Sequence, residues 1–228
     1  KNKQTDRVMR ELGLQMPVNK LYNPKKPCLA DAVVSFGGFC SGGVVSEDGL
    51  VFTNHHCGFS CVQQHSSVEH DYLKDGFVAR SLEEELPNPE LYVRFLLRTE
   101  NVTKRVLSAA KHAKTESERR VAVDSVMNVI GMEVSEKDST LTGIVDAYYA
   151  GNEFWLSVYR DYNDVRLVFA PPSSVGKFGW DTDNWMWPRH TGDFSVFRIY
   201  ANTQNGPADY SPDNVPYHPE YVAPVSLE

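Results

Sequence analysis

Asp48-Gly49 lies between two short apolar runs, Val44-Val45-Ser46 and Leu50-Val51-Phe52. Glycine adopts a positive φ without a Cβ clash, so Asp-Gly between β-branched runs predicts a tight hairpin. The same pattern recurs along the chain. Asp31 to Phe36, Leu91 to Leu97, Leu141 to Tyr149, Glu153 to Tyr159, Asp164 to Phe169 and Asp193 to Tyr200 read as strands, and Gly151-Asn152 closes one pair as a second hairpin. Short strands, hairpin turns and no regular βαβ alternation predict a mainly β barrel or sandwich. One helical insertion interrupts it at about 103–130, where Val106, Ala109, Ala110, Ala113, Val121, Val126, Val129 and Ile130 recur with roughly helical period.

Smaller elements complete the outline. Arg7 to Leu12 predicts an amphipathic turn ended near Gly13, and Ser66 to Lys74 a short helix. Gly176 to Gly192 is a loop rich in Gly, Asp and Trp. Residues 202–220 are a Pro/Asn/Gly-rich connection, and Tyr221-Val222-Ala223-Pro224-Val225 is strand-like.

The chain has 228 residues, enough for one large domain or two small ones. No apolar run approaches the roughly 20 residues that cross a bilayer, so no membrane span is expected. The net charge of -7 has the wrong sign for a nucleic-acid backbone partner. The sequence starts at Lys1 without Met or a signal-type stretch, and Ser226-Leu227-Glu228 looks like an expression scar. The start suits either a mature secreted protein or a cut piece of a longer one, and the end suits a chosen boundary, so the chain is read as a fragment.

All four cysteines, Cys28, Cys40, Cys57 and Cys61, fall in the first third. Three readings are open: two disulfides in an oxidising compartment, four buried thiols, or a zinc site using the neighbouring His55 and His56. Within the disulfide reading, a Cys40–Cys57 bridge would close the hairpin and hold the adjacent imidazole, and Cys28–Cys61 follows by elimination. A histidine at the end of a hairpin strand suits proton transfer near neutral pH, but it needs a carboxylate to fix its tautomer. Asp193, after a glycine in an aromatic stretch, is the best-placed acid.

Four stretches carry a more specific signal. They are Phe36-Gly37-Gly38-Phe39-Cys40-Ser41-Gly42, Leu50-Val51-Phe52-Thr53-Asn54-His55-His56-Cys57-Gly58, Pro171-Pro172-Ser173-Ser174-Val175-Gly176-Lys177-Phe178-Gly179 and Asp181-Thr182-Asp183-Asn184-Trp185-Met186-Trp187-Pro188-Arg189-His190-Thr191-Gly192-Asp193-Phe194. In this order they resemble the bacterial serine dipeptidyl peptidases of the dipeptidyl-peptidase 7 and 11 type. The resemblance implies a chymotrypsin-like double β-barrel with an inserted helical domain. The present residues would form the amino-terminal barrel and the opening strands of the second. It implies release of dipeptides from free peptide N-termini, in the periplasm or at the cell surface, without a cofactor or metal. It places the triad histidine at His56 and the triad aspartate at Asp193. It also assigns recognition of the substrate's α-ammonium to Asn184 and Trp185, consistent with an amide oxygen accepting from a cation and an indole face attracting one.

The family's nucleophile lies in a downstream Gly-Asn-Ser-Gly-type motif, so the resemblance implies that residues 1–228 are the amino-terminal part of the catalytic domain and inactive alone. Ser41, Ser173, Ser174 and Ser195 lack a nucleophile's context. The second strand of the hairpin runs straight into Thr53-Asn54-His55-His56-Cys57, so His55 and His56 face opposite ways and at most one joins the triad, which by the family motif is His56. A barrel cut before its partner strands arrive would expose edges, so homodimerisation is expected. The competing readings are a non-catalytic peptide-binding module and a metal-binding protein built on the His-His-Cys motif.

Overall fold

In the computed structural model, which describes residues 3–223, Gly49 turns with φ 71° between two antiparallel strands, as Asp48-Gly49 predicts. Helices α1 (Lys3–Glu11) and α2 (Val18–Leu21) lead into strands β1 (Val33–Phe36), β2 (Cys40–Val44) and β3 (Leu50–Thr53). Then come α3 (His55–His65), α4 (Tyr72–Asp75), β4 (Phe77–Val78), β5 (Leu86–Pro87) and β6 (Val93–Asn101). Helices α5 (Thr103–Ala109) and α6 (Glu116–Lys137) separate β6 from β7 (Leu141–Tyr148), β8 (Glu153–Tyr162) and β9 (Asp164–Ala170). Short helices α7 (Ser173–Gly176) and α8 (Trp180–Asn184) precede β10 (Ser195–Ala201) and β11 (Val215–Pro216).

The strands form one antiparallel sheet in the order β4-β9-β10-β3-β2-β1-β6-β8-β7, with β5 on β9 and β11 on β10. The chain is therefore mainly β with helical insertions, as expected. Its apolar faces serve two clusters. Phe36, Val44, Val51, Val93, Leu167, Phe197 and Ile199 centre the first. Val106, Ile130, Val134, Val145, Phe154, Leu156 and Val158 form the second, between α5, α6 and the outer strands. Past a register shift between Leu96 and Arg98, β6 loses its buried positions. Helix α6 meets β7 backbone to backbone. A Cβ on Gly131 would lie 2.6 Å from the Gly143 carbonyl oxygen, so both positions require glycine for lack of space.

Several boundaries differ from the sequence reading. The helix read from Ser66 to Lys74 is only Tyr72–Asp75, because Asp71 caps it by accepting from the Lys74 N–H at 3.1 Å. Ser66 instead ends α3, its hydroxyl donating to the Val62 carbonyl at 2.8 Å. The insertion is two helices and runs on to Lys137. Thr115 starts the second by accepting from the Glu118 N–H at 3.2 Å. Residues 221–223 are irregular, and the rest of the strand-like segment and the terminal Ser226-Leu227-Glu228 lie outside the described residues.

Cys40 and Cys57 form a disulfide with Cα atoms 6.2 Å apart. The Cys28–Cys61 bridge is not present; both thiols are free and buried. Their surroundings explain the correction. Cys61 points from α3 into the first apolar cluster, where burial pushes its thiol pKa up. Cys28 belongs to the turn before β1, and its sulfur accepts from the Asn23 N–H at 3.2 Å.

One buried polar group crosses the sheet. Glu85, its side chain 2% exposed, accepts from Arg198 Nε at 2.9 Å and from the Tyr200 hydroxyl at 2.8 Å. Burial first, then the Glu85 carboxylate, drives the Tyr200 pKa upward. Arg166 covers the Tyr200 ring at 3.6 Å and pairs with the buried Asp164.

Candidate active site

Two segments 137 residues apart meet because β3 and β10 are ladder neighbours, with Thr53 opposite Ser195. Residues just past the end of β3 therefore face residues just before the start of β10. The strand does not continue through His56, as the sequence reading had it. It stops at Thr53; Asn54 is extended, with φ -70° and ψ 149°, and α3 begins at His55. The burial of His55, Gly58, Cys61 and Val62 follows helical spacing. A strand-like alternation is thus not what separates the two histidines. Successive helical residues are turned by about 100°, which buries the His55 ring completely and leaves the His56 side chain 47% exposed. The Cys40–Cys57 bridge ties the first turn of α3 to the start of β2, beside His56.

His56 Nδ1 lies 2.9 Å from Asp193 Oδ2, so the histidine and acid chosen from the sequence are in contact. The Asp193 carboxylate is 6% exposed and accepts three further hydrogen bonds. The His56 backbone N–H donates to Oδ1 at 3.1 Å, and the side-chain amides of Asn54 and Asn184 donate to Oδ2 at 3.1 and 3.0 Å. Burial alone would raise the Asp193 pKa. The bonds from His56 and Asn184, with the His56 charge, outweigh it and hold the carboxyl below its usual range. The acid stays ionised, and His56 Nδ1 carries the proton that faces it, leaving Nε2 open. Asn54 was not singled out from the sequence. Its signal was present, since an Asn preceding a helix ordinarily caps it; here the amide serves Asp193 and makes no cap bond.

Asn184 and Trp185 are brought to the same place by the segment between α7 and β10. That segment is pinned by the Gly192 N–H on the Val175 carbonyl at 3.0 Å and by the Thr191 hydroxyl on the same oxygen at 3.3 Å. Asn184 spends its amide N–H on Asp193, which turns its carbonyl oxygen outward. Arg189 Nη1 donates to that oxygen at 3.5 Å, and its guanidinium lies 5.8 Å from the Trp185 ring centroid. A cation of the chain itself therefore sits where carbonyl and indole converge. Trp185 and Trp187 are 72% and 87% exposed.

His55 plays a different part. Neither ring nitrogen has a hydrogen-bond partner. Gly176 packs so closely that a Cβ there would lie 2.4 Å from the His55 ring. Gly176→Ala should therefore destabilise the protein by about 1–3 kcal/mol, as overpacking does, read from the urea midpoint. Desolvation lowers the His55 pKa, the positive neighbours Lys177 and His56 add to this, and Asp193 opposes it. The unfolded chain takes up a proton near pH 6.5 that the folded chain refuses. This contribution to stability is complete above that pH and is lost as the pH falls through the lower folded value. The urea midpoint should drop more steeply below pH 6.5 in the wild type than in His55→Gln; equal slopes would contradict the assignment.

Among the described residues no serine hydroxyl hydrogen-bonds the His56 ring. The Ser173 and Ser195 hydroxyl oxygens are buried without partners, and Ser41 and Ser174 are exposed. For the metal reading, the relevant donors are Cys40, His56 and Cys57, each offering an atom within 4.8 Å of the other two. Both sulfurs are joined to each other, so the oxidised chain presents no thiolate there, and His55 is not in the group.

Residues 1–228 match the family Peptidase S46. Dipeptidyl-peptidase 7 of Porphyromonas endodontalis is 54% identical over 226 residues, which is 99% of this chain and 28% of that protein. The Asp/Glu-specific dipeptidyl-peptidase of Capnocytophaga gingivalis is 49% identical over 221 residues, 96% of this chain and 31% of the relative. Among solved structures, Porphyromonas endodontalis DPP11 in complex with the dipeptide Arg-Asp superposes with a TM-score of 0.87 at 46% identity, covering 97% of this chain and 32% of that one. The chain thus spans about a third of the length of the relatives it matches.

Proposed function

The chain belongs to the Peptidase S46 family, and on that footing we propose that it is the amino-terminal portion of a serine dipeptidyl peptidase. The single observation that carries the reading is the His56–Asp193 contact at 2.9 Å, with three more donors converging on the same carboxylate. In this proposal the nucleophilic serine, the oxyanion donors and the pocket for the P1 side chain belong to sequence outside residues 1–228. Asp193 holds His56 as the Nδ1–H tautomer. His56 Nε2 removes the proton from the serine hydroxyl as it attacks the scissile carbonyl, and the imidazolium is stabilised by Asp193. The same proton then goes to the departing amine. Water repeats the sequence to free the dipeptide.

Asn184 links recognition to catalysis. Its N–H side is fixed on Asp193, so its outward carbonyl oxygen accepts from the substrate's α-ammonium, with the exposed Trp185 indole supplying a cation–π face. The substrates are peptides with a free N-terminus. The β-sheet is read as the first part of a chymotrypsin-like double barrel. The Cys40–Cys57 bridge supports a periplasmic or cell-surface location, because such bonds persist in oxidising compartments. The terminal strands of the sheet path, β4 and β7, are the edges through which a homodimer would pair; a monomer by light scattering at high concentration would remove that part.

The test is to assay the 228-residue chain and a version extended along the source gene with a fluorogenic dipeptidyl amide. Turnover by the extended protein alone supports the proposal. Turnover by residues 1–228 alone, abolished in His56→Ala, would overturn the missing-nucleophile reading. Peptide binding without turnover by the extended protein would favour a non-catalytic module.

A further inference from the structure

We propose that reduction of the Cys40–Cys57 bridge converts the His56 site into a zinc site, in which the two thiolates and His56 Nε2 bind the metal. The three donor groups already lie within 4.8 Å of one another. A tetrahedral zinc with Zn–S bonds of about 2.3 Å needs its sulfurs about 3.8 Å apart. Two cysteines whose Cα atoms are 6.2 Å apart reach that separation by side-chain rotation once the S–S bond is gone. Their backbones are held by β2 and by the first turn of α3, so the ligands do not scatter on reduction.

The surroundings of the histidine favour this more strongly than the distances. A zinc-bound histidine usually donates its other ring N–H to a carboxylate, which fixes the ring and makes the ligating nitrogen more basic. Asp193 already accepts from His56 Nδ1 in this way and is itself held by Asn54 and Asn184. The arrangement that equips His56 as a base equips it equally as a ligand. Its side chain is 47% exposed, so a metal can enter and water can complete the coordination.

The chemistry balances with a dithiol or phosphine reductant. A dithiol supplies two electrons and two protons and becomes its disulfide; a phosphine supplies two electrons and takes oxygen from water to become its oxide, the two hydrogens of that water going to the sulfurs; by either route Cys40 and Cys57 become two thiols. Zn2+ then binds both sulfurs as thiolates and releases their two protons to solvent, while His56 binds through its neutral Nε2. Reoxidation by a small disulfide reforms the S–S bond and expels the metal. Disulfide and zinc are therefore mutually exclusive. The site itself stands whether or not the chain is part of a peptidase. If it is, the reduced, zinc-loaded form has no free Nε2 lone pair and is inactive.

The test uses the 228-residue chain reduced anaerobically with a trialkylphosphine and titrated with Co2+ as a spectroscopic probe, then with Zn2+. The expected result is one Co2+ per chain, with thiolate charge-transfer absorption and intense tetrahedral d–d bands that Zn2+ removes. The oxidised chain should show neither. His56→Ala should bind at least 10-fold more weakly, and Asp193→Asn about 10–100-fold more weakly, as loss of an outer carboxylate does. The double variant Cys28→Ser/Cys61→Ser should keep the full signal. The proposal is overturned if the reduced chain shows no charge transfer, if the oxidised chain binds equally, or if His56→Ala binds like wild type. Loss of the signal in the Cys28/Cys61 variant, or of the β-sheet circular dichroism on reduction with zinc present, would overturn it as well.

Discussion

Replacing Asp193 by Asn in the extended, catalytically complete protein is expected to lower kcat by about 10⁴-fold. The size follows from the role. An aspartate behind a catalytic histidine sets the tautomer, and the isosteric amide removes about that much activity while leaving the geometry intact. Here the loss is reinforced locally. The His56 backbone N–H and the Asn54 and Asn184 amides all point donors at this carboxylate. An amide at 193 must place its N–H2 either at Oδ1, against the His56 backbone N–H, or at Oδ2, against the Asn54 and Asn184 amides and His56 Nδ1 together. In the second case the ring proton moves to Nε2, and the base is lost. Stopped-flow single-turnover kinetics with a dipeptidyl amide would separate the chemical step from binding. A fall of less than tenfold would place the catalytic acid elsewhere.

The largest expected effect on stability lies away from the site. Glu85→Ala removes the buried carboxylate that Arg198 and the Tyr200 hydroxyl share, leaving the Arg198 charge with the neutral Asp48 carbonyl as its acceptor. Removing one partner of a buried ion pair costs about 3–5 kcal/mol, since the remaining charge loses its compensation. Urea denaturation should show the midpoint falling by that equivalent, with Glu90→Ala, on the exposed surface, leaving it unchanged. A shift below about 1 kcal/mol would mean that water or relaxation satisfies Arg198, and that the cross-sheet network does not organise β10.

How much of this was legible depended on whether the cause was local. The Asp48-Gly49 hairpin needs only a positive φ and flanking β-branched runs, both visible in sequence. Strands β7 to β10 are short runs rich in apolar residues bounded by turn signals, and their bounds fall close to the reading. The His56–Asp193 pair was named from residue chemistry and the family resemblance, but its contact depends on β3 pairing with β10, which no local pattern reports. The switch from strand to helix at His55 was missed. A histidine pair after Leu50-Val51-Phe52-Thr53 reads as a continuing strand, and the helical burial of His55, Gly58, Cys61 and Val62 shows only when the window runs on to residue 62. Asn54 was overlooked for the same reason: its amide acts on a residue 139 positions away. The Cys28–Cys61 bridge failed because elimination assumes that every cysteine is paired, whereas these two thiols fill separate buried environments. Glu85 gave no signal at all, because a charged residue in an acidic stretch is ordinarily solvated, and only the fold places Arg198 and Tyr200 over it.

The measurement closest to the central claim is covalent labelling of the extended protein with a fluorophosphonate, followed by mapping of the modified serine by mass spectrometry. A single labelled serine outside residues 1–228 is expected, with labelling suppressed in His56→Ala and in Asp193→Asn. Labelling of Ser41, Ser173, Ser174 or Ser195, or labelling that persists in full when His56 is replaced, would contradict that claim.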